Sequence, residues 1–155
     1  MRIERKQAFQ VVAMFAACGI VVACARPSLA QKPFLERIKK VYSLEKEKNG
    51  NCHTCHTYDK EKKETPEKDN LNAFGKDIQK SPIMKTVINK DDDYKFTKDD
   101  LDKVEAAVKS LEDKDSDGDG ATNLEELMLG TSPGNPTSTP TADALAKYRA
   151  DHPKK

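Results

Sequence analysis

Cys52-His53-Thr54-Cys55-His56 sets two thiols three residues apart and follows them at once with an imidazole. Residues three apart project from the same side of a helical turn. Both sulfurs therefore reach toward one object, and the ring of His56 stands beside them. This spacing suits a c-type haem: each thiol closes a thioether with one porphyrin vinyl group, and the histidine takes the iron as proximal ligand. Zinc, a redox dithiol and a disulfide are the rivals for the same cysteines. Zinc needs four ligands, and beyond the pair residues 31–155 offer only His53, His56 and His152 in poor spacing. A redox dithiol expects a βαβ setting that the sequence lacks.

Working outward, the other two cysteines, Cys18 and Cys24, fall in a segment that reads as a removable leader. Arg2, Arg5 and Lys6 make a basic start, residues 11–25 carry no charge, and Ser28-Leu29-Ala30 offers a small-x-small cleavage site. Residues 1–30 are therefore expected to be a signal peptide, and residues 31–155 one exported, periplasmic or extracytoplasmic domain. The apolar run is short for a spanning helix, although an uncleaved anchor is a second reading. A third is a lipobox at Val21-Val22-Ala23-Cys24, which would leave a lipidated Cys24 as a membrane tether. Cleavage after Ala30 would remove four of the 27 basic residues and one of the 26 acids, leaving a net charge of −2. Cys52 and Cys55 would then be the cysteines that remain, with no disulfide framework to build.

Charged residues make up 34% of the chain and aromatics 6%, without a tryptophan, so a core of side chains alone would be thin. A covalent haem would supply the missing apolar bulk. Formal net charge is +1, and no nucleic-acid motif is present, so nucleic acid is not an expected partner.

The periodicity predicts an all-α domain. Phe34, Leu35, Ile38, Val41 and Tyr42 form one stripe of a first helix over 33–46, which Asn49-Gly50-Asn51 turns into the Cys–His motif. Residues 57–69 read as a solvated loop in which Glu61, Glu64 and Glu67 offset Lys60, Lys62, Lys63 and Lys68. A second helix is expected over 70–80 with Leu71, Phe74 and Ile78 inward, Asp69 or Asn70 as its cap, and Gly75 allowing close approach to the haem plane. Pro82 breaks it and leaves Met84 in a loop. Thr97 opens the longest helix, with Leu101, Val104, Val108 and Leu111 on one face and Ala106 and Ala107 for close packing. A last short helix over 142–150 would turn Leu145 and Tyr148 inward.

A second constellation occupies residues 115–126, DSDGDGATNLEE. It fits the twelve-residue calcium loop D-x-D-x-[DN]-G-x5-E. Asp115, Asp117 and Asp119 stand at positions 1, 3 and 5, Gly120 at 6, Ala121 at 7 through its backbone carbonyl, Asn123 at 9 and Glu126 at 12. Calcium takes six to eight hard oxygens in a compact shell, and three carboxylates this close repel one another without a cation. One Ca²⁺ is expected here, as a structural ion. A solvated acidic turn is the plainer alternative. Position 8 is Thr122, where pairing loops carry Ile or Val, so a β-bridge to a second loop is not expected. Met128 is expected in the core.

The first helix and Cys52-His53-Thr54-Cys55-His56 resemble small monohaem class I c-type cytochromes, and residues 115–136 resemble the calcium repeats of thrombospondin type 3 and dockerin modules. The cytochrome resemblance implies a small helical domain around one haem, a methionine as sixth iron ligand, and a monomeric one-electron carrier that meets a redox protein as donor or acceptor rather than an enzyme. Met84 is the first choice for that ligand, and His152 is a distant one. An open sixth position would imply instead a haem ligand-binding or peroxidase-type protein.

Overall fold

The computed structural model describes residues 32–57, 70–88 and 94–153. The expected leader with Cys24, most of the charged loop over 57–69, and Lys154 and Lys155 lie outside them. Among the described residues the chain is all helical, in the order α1 (Lys32–Tyr42), α2 (Ala73–Lys80), α3 (Lys98–Lys109), α4 (Asn123–Leu129) and α5 (Ala142–Asp151). Short 3₁₀ segments stand at Cys52–Thr54 and Pro82–Thr86.

α1 packs on α3, and the Pro82–Thr86 segment packs against both α2 and α3. One apolar cluster results: Ile38, Tyr42 and Leu44; Phe74 and Ile78; Met84 and Val87; Val104, Ala107 and Val108; and Leu127. Ala107 is fully buried while Ala106 faces solvent, so only one of the pair serves packing. Polar pairs rim the α1–α3 seam. Arg37 joins Asp102 and, at 2.7 Å, Glu105; the Tyr42 hydroxyl donates to Glu112 at 2.6 Å.

α1 stops four residues earlier than its charge pattern suggests. Ser43 takes a left-handed φ of 53° and the Leu44 amide donates back to the Lys39 carbonyl at 3.0 Å. This closes the helix as a Schellman turn and turns Leu44 into the core, where it is buried. The energy of burying Leu44 offsets the roughly 1–2 kcal/mol that the left-handed backbone costs a non-glycine residue.

α2 also starts later than expected. Leu71 is taken by an isolated antiparallel bridge to His56, so the helix begins at Ala73. Asn72, rather than Asp69 or Asn70, caps it by accepting from the Gly75 amide at 2.9 Å. α3 begins as its sequence indicates. Thr97 and Asp100 form a reciprocal capping box, and the acids of the first turn suit the helix dipole.

Gly75 answers a steric need within the chain itself. A Cβ there would lie 2.1 Å from the Cys55 carbonyl oxygen and 3.0 Å from Leu71 Cδ2. The close approach is to the backbone of the Cys–His motif itself, which cannot yield as a flexible side chain could. Gly118 differs: its φ is +81° with nothing within 4 Å of an added Cβ. Gly75→Ala is expected to cost about 1–3 kcal/mol through overpacking, and Gly118→Ala about 1–2 kcal/mol through backbone conformation alone. Urea unfolding of both variants checks this; equal stability of Gly75→Ala and wild type would remove the close-packing account.

Candidate functional site

The Cys–His motif is a single braced turn. Asn51 starts it by accepting from the His53 amide at 2.9 Å, and the His56 amide closes it onto the Cys52 carbonyl at 2.9 Å. From the α2 side, the Asn72 side-chain amide donates to the carbonyls of His53 at 2.8 Å and Thr54 at 3.1 Å. The Asn72 backbone amide donates to Cys55 at 3.0 Å, and Thr57 donates to Asn70 at 2.8 Å. Thr54, between the cysteines, is buried; its hydroxyl donates to the carbonyls of Asn49 and, at 2.7 Å, Asn51.

The two thiols are not joined to each other. Cys52 is exposed, whereas Cys55 is partly buried against the apolar cluster. Burial, reinforced by the neighbouring Cys52, pushes the Cys55 thiol up to about 12. His56 is 7% exposed on the same turn. Among the described residues, the trio of His, Cys, Asp or Glu side chains close enough to share one ion is Asp115, Asp117 and Asp119, so these cysteines and histidines do not form a metal cage.

Met84 stands in the Pro82–Thr86 segment and is 1% exposed. It belongs to the same cluster that Cys55 packs against. His152 ends α5, exposed, with its ring stacked on Tyr148 at 4.3 Å and its Nδ1 bonded to the Tyr148 carbonyl at 3.0 Å.

The acidic loop has a geometry of its own. Carboxylate oxygens of Asp115, Asp117 and Asp119 lie within 4.8 Å of one another. Backbone amides hold the outer oxygens: Gly118 and Gly120 donate to Asp115 at 2.7 and 2.9 Å, and Ala121 donates to Asp119 at 2.8 Å. Gly118 and Gly120 both have positive φ, which lets those amides point inward. Glu126 is completely buried. Its Oε2, the Oδ2 of Asp117 and the Oδ2 of Asp119 are buried without a hydrogen-bond partner. Such acceptors are costly unless something positive meets them. Burial first, then the charges of Asp117 and Asp119, raise Glu126 to about 8; burial, then the charges of Asp119 and Asp115, raise Asp117.

The remaining loop positions are mostly occupied by folding. Ala121 and Asn123 are fully buried. Asn123 fastens the loop, accepting from the Ser116 amide at 3.3 Å and donating to the Leu111 carbonyl at 2.7 Å. Thr122 is the N-cap of α4 and forms a capping box with Glu125, which explains a polar residue at position 8. α4 ends at Gly130, whose φ is 83°.

Met128 is not in the core. It is 50% exposed, because Asn123, Glu126 and Leu127 form the inward face of this short helix. Leu145 and Tyr148 of α5 are only partly buried, and α5 buries no residue fully. It is held instead by Arg149, which forks onto Glu125 at 2.7 and 3.0 Å and reaches the Gly120 carbonyl at 3.0 Å. That pairing holds Glu125 down at about 2. Neither Arg149 nor the bracing amides Asn49 and Asn72 stood out in the sequence, although Thr122-x-x-Glu125 carries a legible capping signal.

An acid whose folded value lies above its unfolded value keeps its proton in the folded chain and loses it in the unfolded one. Glu126, raised from 4.5 to about 8, therefore makes the cation-free protein less stable as pH rises across that window. With a chelator present, the urea midpoint should fall between about pH 5 and pH 8. Glu126→Gln should flatten most of that fall; an unchanged slope in the variant would show that another group titrates. Comparisons with protein-family models, curated proteins and solved structures find no match to this chain.

Proposed function

We propose that this protein is an exported one-electron carrier with one covalent haem c, stabilised by one Ca²⁺. The observation that carries the proposal is the Cys–His turn itself: two unjoined thiols and a largely buried imidazole on one braced turn. The residues present suit the group. Cys52 and Cys55 would form its thioethers and His56 would hold the iron, with the apolar cluster beside Cys55 as the surface for the porphyrin face. Bound haem would supply an Fe(II)/Fe(III) couple. The chain's own part is to fix the imidazole, exclude water on the core side and set the approach of a redox protein partner. None of the described helices is long and apolar enough to cross a membrane. That is compatible with a soluble or a tethered exported domain.

For the sixth ligand we propose Met84. Its side chain shares the cluster that receives Cys55. A second reading, a haem ligand-binding or peroxidase-type protein with an open sixth position, draws on the same observation. Full burial of Met84 is also what core packing alone requires.

The acidic loop suits a hard cation. Three buried oxygens without partners, from Asp117, Asp119 and Glu126, face like-charged neighbours. Ca²⁺ would be held by Asp115, Asp117, Asp119, Glu126 and the Ala121 carbonyl, with Asn123 holding the loop's shape or acting through water.

Absorption spectra of the exported protein in both oxidation states test the haem reading. A low-spin six-coordinate spectrum is expected, with a sulfur–iron band that Met84→Ala abolishes. High-spin haem that takes up carbon monoxide rapidly would favour the open-site reading, and a denatured band that fails a haem stain would end both. For the cation, chelation should lower the melting temperature, and calcium at about 100 times its Kd should restore about 2.7 kcal/mol. A melting temperature indifferent to both treatments would refute the calcium assignment.

A further inference from the structure

Two polar routes lead from the exit of the acidic loop to the Cys–His turn. The first runs through Asn49, which is buried at 3% exposure. Its side-chain amide donates to the carbonyls of Leu127 at 2.8 Å and Glu126 at 3.4 Å. Both belong to the last turn of α4, where the Glu126 carbonyl also accepts from the amides of Gly130 at 2.9 Å and Thr131 at 3.0 Å, so the Leu127 carbonyl is the principal acceptor of Asn49. The carbonyl of Asn49 in turn accepts from the Thr54 hydroxyl, at the centre of the motif. The second route runs through the segment after α4. The Ser132 hydroxyl donates to the His53 carbonyl at 3.3 Å. Gly134 is pressed against Asn72 so closely that an added Cβ would collide with the Asn72 side chain. Asn72 holds the carbonyls of His53 and Thr54.

Glu126 is the common member. Its carboxylate belongs to the acidic cluster, while its backbone carbonyl is one end of the Asn49 route. We infer that cation binding in the 115–126 loop and the geometry of the Cys52–His56 turn are energetically coupled, with Asn49 as the positioning residue between them. The inference rests on the calcium reading and is separable from it. A cation drawing in the Glu126 carboxylate fixes the frame of α4. α4 fixes Asn49, and Asn49 fixes Thr54 between the two thiols. All three groups are buried, so the displacement of one is not absorbed by solvent. Coupling of this kind is reciprocal: occupation of the Cys–His turn raises cation affinity by the same factor.

The test is amide exchange by mass spectrometry on the full chain as exported and purified, with calcium and with chelator, beside calcorimetric calcium titration of wild type and Asn49→Ala. Calcium removal should speed exchange in residues 52–57 roughly tenfold more than in 98–104, which lie on neither route. Asn49→Ala should weaken calcium binding and lessen the response at 52–57, the Ser132 route remaining. If wild type binds calcium while 52–57 exchange as before, the coupling is overturned and the calcium reading survives. If wild type binds no calcium, both fall. If Asn49→Ala keeps both the affinity and the response, Asn49 is not the link. Exchange in wild type decides the coupling even where the variant does not fold.

Discussion

Repulsion among carboxylates is the constraint that shapes the C-terminal half. Asp115, Asp117 and Asp119 lie within 4.8 Å of one another, and Glu126 is buried beside them. Four negative charges at this range in a partly dehydrated setting cannot all persist without a counter-charge. Without a cation the chain answers with a proton: burial first, and then the neighbouring charges, raise Glu126 to about 8. Glycines at 118 and 120 and the capping box at Thr122 build a loop that holds its acids together instead of letting them splay. The backbone holds these carboxylates together, and the proposed divalent cation would relieve them more completely than one proton.

The N-terminal half meets a different demand. A turn that presents two thiols and an imidazole must hold its shape although it is too short to hold itself. Its carbonyls are therefore bonded from outside, by Asn72 at the start of α2 and by Ser132 after α4, while its Thr54 hydroxyl donates back to the carbonyls of Asn49 and Asn51. Gly75 lets α2 lie directly on Cys55. Each brace comes from a different part of the chain, so the turn is positioned by the tertiary fold more than by its own sequence.

This division explains what was legible beforehand. α3 was plain because Thr97 and Asp100 act on local backbone and Val104 and Val108 follow the helical period. The acidic loop was plain because its spacing is itself the geometry. The end of α1 was hidden because it depends on where Leu44 is buried, and the start of α2 because Leu71 is claimed by His56. Asn49 and Asn72 look like ordinary turn residues until their partners 78 and 19 positions away are known. Met128 could have been placed correctly. If Glu126 must face inward at loop position 12, a residue two further along the helix points about 200° away.

The same logic bears on why the proposed haem and cation sites would share so small a domain. The apolar cluster draws on few residues from each helix, and α5 buries none fully. Such a core gives limited stability of its own. A covalent group on one side and a bound cation on the other would each favour the folded chain by mass action or tethering. Neither need be near the other, provided that the segment between them is rigid. Asn49 and Ser132 supply that segment with buried or half-buried hydrogen bonds instead of apolar contacts. Directional bonds transmit a shift that a looser apolar contact would absorb by sliding, so the polar character of this seam itself favours coupling over independence.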